Sequence, residues 1–113
     1  MHIIEVTNDE LVDAITRRAK ELGITHGVVV SLIGAVDSFT VSTMPRNDAT
    51  RDTITRYDMP AEMTGTGDVT DGAVHLHVVM GVEGDRAIAG HLHQAHVATW
   101  FARAYLQPYD SRS

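Results

Sequence analysis

Two short runs constrain this chain more than anything else in it: Val74-His75-Leu76-His77-Val78-Val79-Met80 and Ile88-Ala89-Gly90-His91-Leu92-His93, on either side of Gly81-Val82-Glu83-Gly84-Asp85. Residues two apart on a strand point to the same face, so each His-Leu-His sends both imidazoles one way and its leucine the other. Val74, Leu76, Val78 and Met80 alternate on the first run, as Ile88 and Leu92 do on the second. Even positions therefore face a core, and the odd-numbered histidines share the opposite face. If the runs pair as a hairpin, both patterns hold only when partnered positions have the same parity. That requires an odd-numbered connection or one bulge, which Gly84 or Gly90 can supply. Such a hairpin gathers imidazoles into one patch, and His96 follows shortly after. A transition-metal site using three of these five histidines is the leading reading, against a solvated or hydrogen-bonded histidine cluster. Zinc accepts three imidazoles and keeps a fourth position for water or substrate; copper, nickel and iron also suit the donors.

A chain of 113 residues is long enough for one domain with its own core and too short for two ordinary ones. A single domain over residues 1–113 is expected, with a core at 3–106 and a frayed tail at 107–113. With 43% hydrophobic and 21% charged residues the composition is that of a globular protein. No stretch approaches the roughly 20 apolar residues that cross a bilayer, so a soluble protein without a membrane partner is expected. Met1-His2-Ile3-Ile4-Glu5 shows no basic segment followed by a long apolar run, and so no secretory signal. The lack of cysteine excludes disulfides and thiolate ligands and is compatible with a cytoplasmic location. The formal net charge of -6 argues against direct nucleic-acid binding, whose affinity comes largely from neutralising phosphates. Its basic doublet, Arg17-Arg18, reads as a solvated helix face.

Along the chain, residues 1–6, His-Ile-Ile-Glu-Val after the initiator, suit an opening strand. Thr7 followed by Glu10 has capping-box spacing, and Leu11, Val12, Ile15, Ala19 and Leu22 recur at helical period. These predict a helix from about 8 to 22, stopped at Gly23, with Ile24 packing back on the last turn. Gly27 to Ile33 reads as a buried strand closed by Gly34-Ala35, and Val36 to Thr43 as another. Met44 to Asp52 has turn chemistry and few anchors, the pattern of a mobile loop. Thr53 to Tyr57 and Ala61 to Gly67 are further strands, separated by Asp58-Met59-Pro60. Val97 to Leu106 is ambiguous, with alanines favouring helix and alternation favouring strand. One early helix followed by about seven strands gives an antiparallel-rich α+β domain, with the N-terminal helix lying on the sheet through its apolar stripe.

Taken together, these segments resemble the PPC domain family, also called DUF296, in its prokaryotic single-domain form. The resemblance covers about residues 3–106. It is carried by Glu21-Leu22-Gly23-Ile24, Val28 to Val36, Glu62-Met63-Thr64-Gly65-Thr66-Gly67, His75-Leu76-His77-Val78 and Gly90-His91-Leu92, in that order. It implies a bent antiparallel sheet, assembly as a homotrimer, and a strand for Val97 to Leu106. It also implies that His75, His77 and His91 hold a divalent transition metal, generally zinc. More distantly the chain is similar to the acetolactate decarboxylase fold group, which holds zinc with three histidines. The chain departs from the family after the Gly-His-Leu segment, where it reads His93-Gln94-Ala95-His96, so His93 or His96 can replace or supplement a ligand. The basic AT-hook of the plant members is absent.

Three function classes follow. A metal-dependent enzyme of lyase or hydrolase type would act on a small oxygenated molecule. A binding module would sense metal or a metabolite through the same ligands. A DNA-associated regulatory or scaffold protein would act without an AT-hook. Glu62 is a candidate partnering carboxylate because it opens the strand before the hairpin, and Arg86 a candidate clamp for an anionic substrate. Met80, Trp100, Phe101 and Tyr105 could line a pocket, and His2 and His26 stand apart from the cluster.

Overall fold

The computed structural model describes residues 1–111. Among them the elements run β1 (His2–Val6), β2 (Asp9–Glu10), α1 (Leu11–Glu21), β3 (Gly27–Val36), β4 (Ser38–Thr43), β5 (Thr53–Tyr57), β6 (Ala61–Thr70), β7 (Ala73–Val82), β8 (Arg86–Val97) and β9 (Ala102–Pro108). All strands join one bent, unclosed antiparallel sheet in the order β1-β9-β3-β6-β7-β8-β4-β5, with the short β2 beside β8. The α+β architecture is the expected one, with nine strands where about seven were read. The stripe Leu11, Ile15 and Ala19 is buried as the period required, and α1 packs on β1, β2, β7 and β8. Opposite it, the inward residues of every long strand close the core, among them Val29, Leu32, Phe39, Val69, Leu76, Met80 and Leu106.

Several boundaries move, each for a local reason. The helix begins at Leu11 instead of about 8, because Asn8 turns the chain at φ 50° and Asp9-Glu10 pairs with Val97 and His96. Glu10, not Thr7, caps it: its carboxylate accepts from the amides of Val12 and Asp13, where the helix dipole favours negative charge. Glu10 Oε2 also accepts from Ala95 N at 2.8 Å, which ties the helix start to β8. Gly23 stops the helix at φ 71°, and Ile24 N donates to Ala19 O. The strand from Gly27 runs through Gly34 and Ala35 to Val36, and β4 starts afresh at Ser38. Between them Asp37 accepts from the amides of Ala98 and Thr99 and from the Thr99 hydroxyl. That clamp also breaks the expected strand at Val97 to Leu106 into the end of β8, a link at 98–101, and β9. Gln107 and Pro108, expected in the tail, belong to β9 and pair with Val28 and Gly27.

Candidate metal centre

The two histidine strands form the hairpin that the alternation required. The register of β7 and β8 sets His77 opposite His91 and Val82 opposite Arg86, with Glu83-Gly84-Asp85 as a three-residue connection. The odd connection preserves parity without a bulge there. It turns through positive φ at Gly84 (84°) and Asp85 (57°), the first readily adopted by a residue without a Cβ. Leu76, Val78, Met80 and Leu92 are buried, and the odd-numbered histidines stand on the other face.

His75, His77 and His91 converge there. Their ring centroids lie 4.7 Å apart for His75 and His77, 4.9 Å for His75 and His91, and 5.8 Å for His77 and His91. One ring nitrogen from each lies within 4.8 Å of the other two. Tetrahedral zinc with bonds near 2.05 Å holds its nitrogens about 3.3 Å apart, so small ring rotations would close the set on one ion. The donors fit a divalent transition ion: neutral imidazoles, no thiolates, open to solvent on one side. Burial lowers the His91 pKa below the ordinary histidine value, and positive charge on His93, His75 or His77 would push it the same way. The Asp52 carboxylate acts in the opposite sense. His91 is thus biased toward the neutral form that ligates metals.

The other sequence candidates fall elsewhere. His93 is the extra residue of a bulge, because Thr40 pairs with Gln94 while the next position, Val41, pairs with Leu92. Its ring stands edge-on to His91 at 4.8 Å, and its Nε2 is buried without a hydrogen-bond partner among the described residues. It lies outside the group of three, as does His96, which pairs with Glu10 and Ser38. Glu62 pairs with Gly81, whereas it is Asp68 that pairs with His75. At the strand rise, Glu62 is therefore about 20 Å along β6 from the level of His75 and about 13 Å from that of His77. It lines a separate cleft with Glu83 and Trp100. Arg86 sits about 16 Å along β8 from His91 by the same rise, and its Nε donates to Glu83 O. Met80 is fully buried, Trp100 is exposed, and Phe101 lies under the Arg103 guanidinium.

Two carboxylates that sequence reasoning passed over do reach the site. Asp68 faces His75 directly across the β6–β7 ladder and lines a cleft of about 430 Å³ with Val28, Val30, Thr66, His75 and His77. Asp52, the residue before β5, lines a second cleft of about 450 Å³ with Ser42, Thr43, His75, His77 and His91. No motif marks either residue, because both arrive through cross-strand pairing.

Comparison with known proteins adds a family. The family model described as the Plants and Prokaryotes Conserved (PCC) domain matches residues 1–108. A search of curated proteins finds no match. Among solved structures, the chain is similar to a candidate DNA-binding protein of Ralstonia eutropha JMP134, at 18% identity and a TM-score of 0.81, covering 97% of this chain and 78% of that one. It is similar to a plant- and prokaryote-conserved (PPC) protein of Pyrococcus horikoshii, at 22% identity and 0.78, covering 96% and 80%. It is also similar to a metal-containing protein of Archaeoglobus fulgidus, at 24% identity and 0.73, covering 95% and 79%.

Proposed function

Because the chain belongs to the Plants and Prokaryotes Conserved (PCC) domain family, we propose that it works as a metal-centred protein, with His75, His77 and His91 holding a divalent ion and binding or acting on a small oxygenated molecule. The observation that carries this reading is the convergence of three imidazole nitrogens within 4.8 Å on an exposed sheet face. Zinc is the first choice of metal, because it takes three nitrogens and keeps a position open. Bound there, it would supply Lewis acidity toward a carbonyl or a bound water. The chain's own residues supply the rest: burial biases His91 toward the neutral form, Leu76 and Leu92 anchor the ligand strands in the core, and Asp68 stands where a carboxylate can orient His75. Assembly as a homotrimer belongs to the same proposal. Ile33 and Val79, aligned through Thr64 across β6, remain 39% and 43% exposed, as subunit contacts would be in one isolated copy.

Metal analysis of untagged protein should return close to one equivalent per chain, and the double change His75→Ala, His77→Ala should abolish it. Full stoichiometry in the double variant would place the ligands elsewhere. A second reading, association with DNA, draws on the Ralstonia relative. Arg17, Arg18, Arg56 and Arg103 are engaged with Asp9, Glu21, Asp58 and Glu5, and the chain's formal net charge of -6 opposes binding to phosphates. Gel shift at low salt should therefore show negligible binding, since such affinity is electrostatic in origin; a strong shift that weakens steeply with salt would favour the second reading.

A further inference from the structure

One row of polar side chains crosses four adjacent strands on the outer face of the sheet. Thr66 pairs with His77, His77 with His91, and His91 with Ser42, so the row runs over β6, β7, β8 and β4. Alternation decides which way its last pair points. Val41 and Leu92 are partners buried in the core, so the next pair, Ser42 and His91, stands on the opposite face. Neighbouring strands lie about 4.8 Å apart, which puts Ser42 one strand spacing beyond His91. Both line the cleft of about 450 Å³ that His75 and His77 share.

The two hydroxyls of the row differ. Thr66 is exposed and met by water, whereas Ser42 is only 4% exposed and its hydroxyl makes no hydrogen bond to any described residue. A hydroxyl kept from bulk water costs stability until something in its surroundings pairs with it, and the cleft is where that partner enters. Its position is rigid: a Cβ added to Gly90 would lie 2.4 Å from Ser42 O, so β4 sits tightly against the strand that carries His91. Three neutral imidazoles leave a divalent ion with its positive charge uncompensated, and the open position then favours an anionic oxygen such as a carboxylate. At the Ser42 end the preference is different. Asp52 lines the same cleft and would repel a second carboxylate there, while a hydroxyl meets no such repulsion. On the carbon next to the carboxylate a hydroxyl would close back on the ion; one carbon further out, it can stand away toward β4. Resting on the metal-centre reading above, we infer that the site takes a short 3-hydroxy acid, its carboxylate toward the three histidines and its hydroxyl accepting a hydrogen bond from Ser42. Ser42 is then the residue that tells such an acid from one without the hydroxyl.

The test titrates the full chain loaded with Co2+, whose visible spectrum reports on the three-histidine centre. The probes are 3-hydroxypropanoate and propanoate, which differ only in the hydroxyl. 3-Hydroxypropanoate should bind about fivefold tighter, the worth of one neutral hydrogen bond. Ser42→Ala should bring it down to the affinity of propanoate, while propanoate and Co2+ themselves stay within about twofold of the parent. A purely structural role for Ser42 would weaken both acids, or the ion, together, and that result would overturn the assignment. Equal binding of the two acids by the unaltered protein would overturn it as well, whatever the variant does. So would a Co2+-loaded protein whose spectrum responds to neither acid. Failure of the unaltered protein to take up Co2+ would instead remove the metal-centre reading, and this inference with it.

Discussion

At the scale of single residues, the decisive property is the protonation of His91. Its folded pKa lies below the ordinary value because burial and the neighbouring imidazoles disfavour a positive charge. Between the two values the unfolded chain binds more protons than the folded one. The stability this residue contributes is therefore fully present above about pH 6.5 and is lost as pH falls through the folded value. Metal-free protein should accordingly show a falling Tm between about pH 7 and pH 5 that flattens in His91→Gln. A slope unchanged by the substitution would assign it to other groups. Asp37 acts in the same sense at lower pH: hydrogen bonds from the Thr99 hydroxyl and from the amides of Thr99 and Ala98 hold its carboxyl below the usual range. Its contribution is intact at neutral pH and disappears only in acid.

At the scale of elements, the site depends on how closely β6 and β7 approach. A Cβ added to Gly67 would lie 2.1 Å from His75 O and 2.8 Å from the Leu76 side chain, so the strand carrying two ligands would have to move. Gly67→Ala should cost about 1–3 kcal/mol, read as a Tm drop of roughly 5–15 °C, and should weaken metal binding at the same time. Unchanged values for both would contradict the packing described. The hairpin itself was legible in the sequence, because alternation sends leucines in and histidines out and so demands partners of like parity, while the register of β7 on β8 decided that an odd connection, and no bulge, supplies it. The helix start was not, because Thr7 to Glu10 has capping-box spacing, whereas the left-handed turn at Asn8 and the pairing of Asp9-Glu10 with β8 depend on a strand some ninety residues away. The same holds for Val97 to Leu106, whose alternation ignores the clamp that Asp37 places on the 98–101 link.

For the whole molecule, the bent sheet leaves one face on α1 and the other, with the histidines, turned outward. Ile33 and Val79 on that outer face are the kind of exposed β-branched pair that assembly covers. Light scattering of the purified protein should give three times the mass of the chain; the mass of a single chain would remove the trimer from the proposal. Exchanging both residues, Ile33→Asp and Val79→Asp, should lower the mass to that of one chain. No helix among the described residues is long and apolar enough to cross a membrane.

By itself the sequence determined what short-range periodicity controls: the helical stripe, the strand alternation and the like-parity pairing that sends the hairpin histidines to one face, while the resemblance to the family singled out His75, His77 and His91 among them. Only the tertiary structure decided what stands around them. Asp68 reaches His75 through the register of β6 on β7, Asp52 reaches the cleft through the pairing of β5 on β4, and Glu62 and Arg86 are carried away along strands of fixed rise. Periodicity is a property of neighbours along the chain. Contact between strands is set by a register that distant parts of the chain fix together, and no local pattern encodes it.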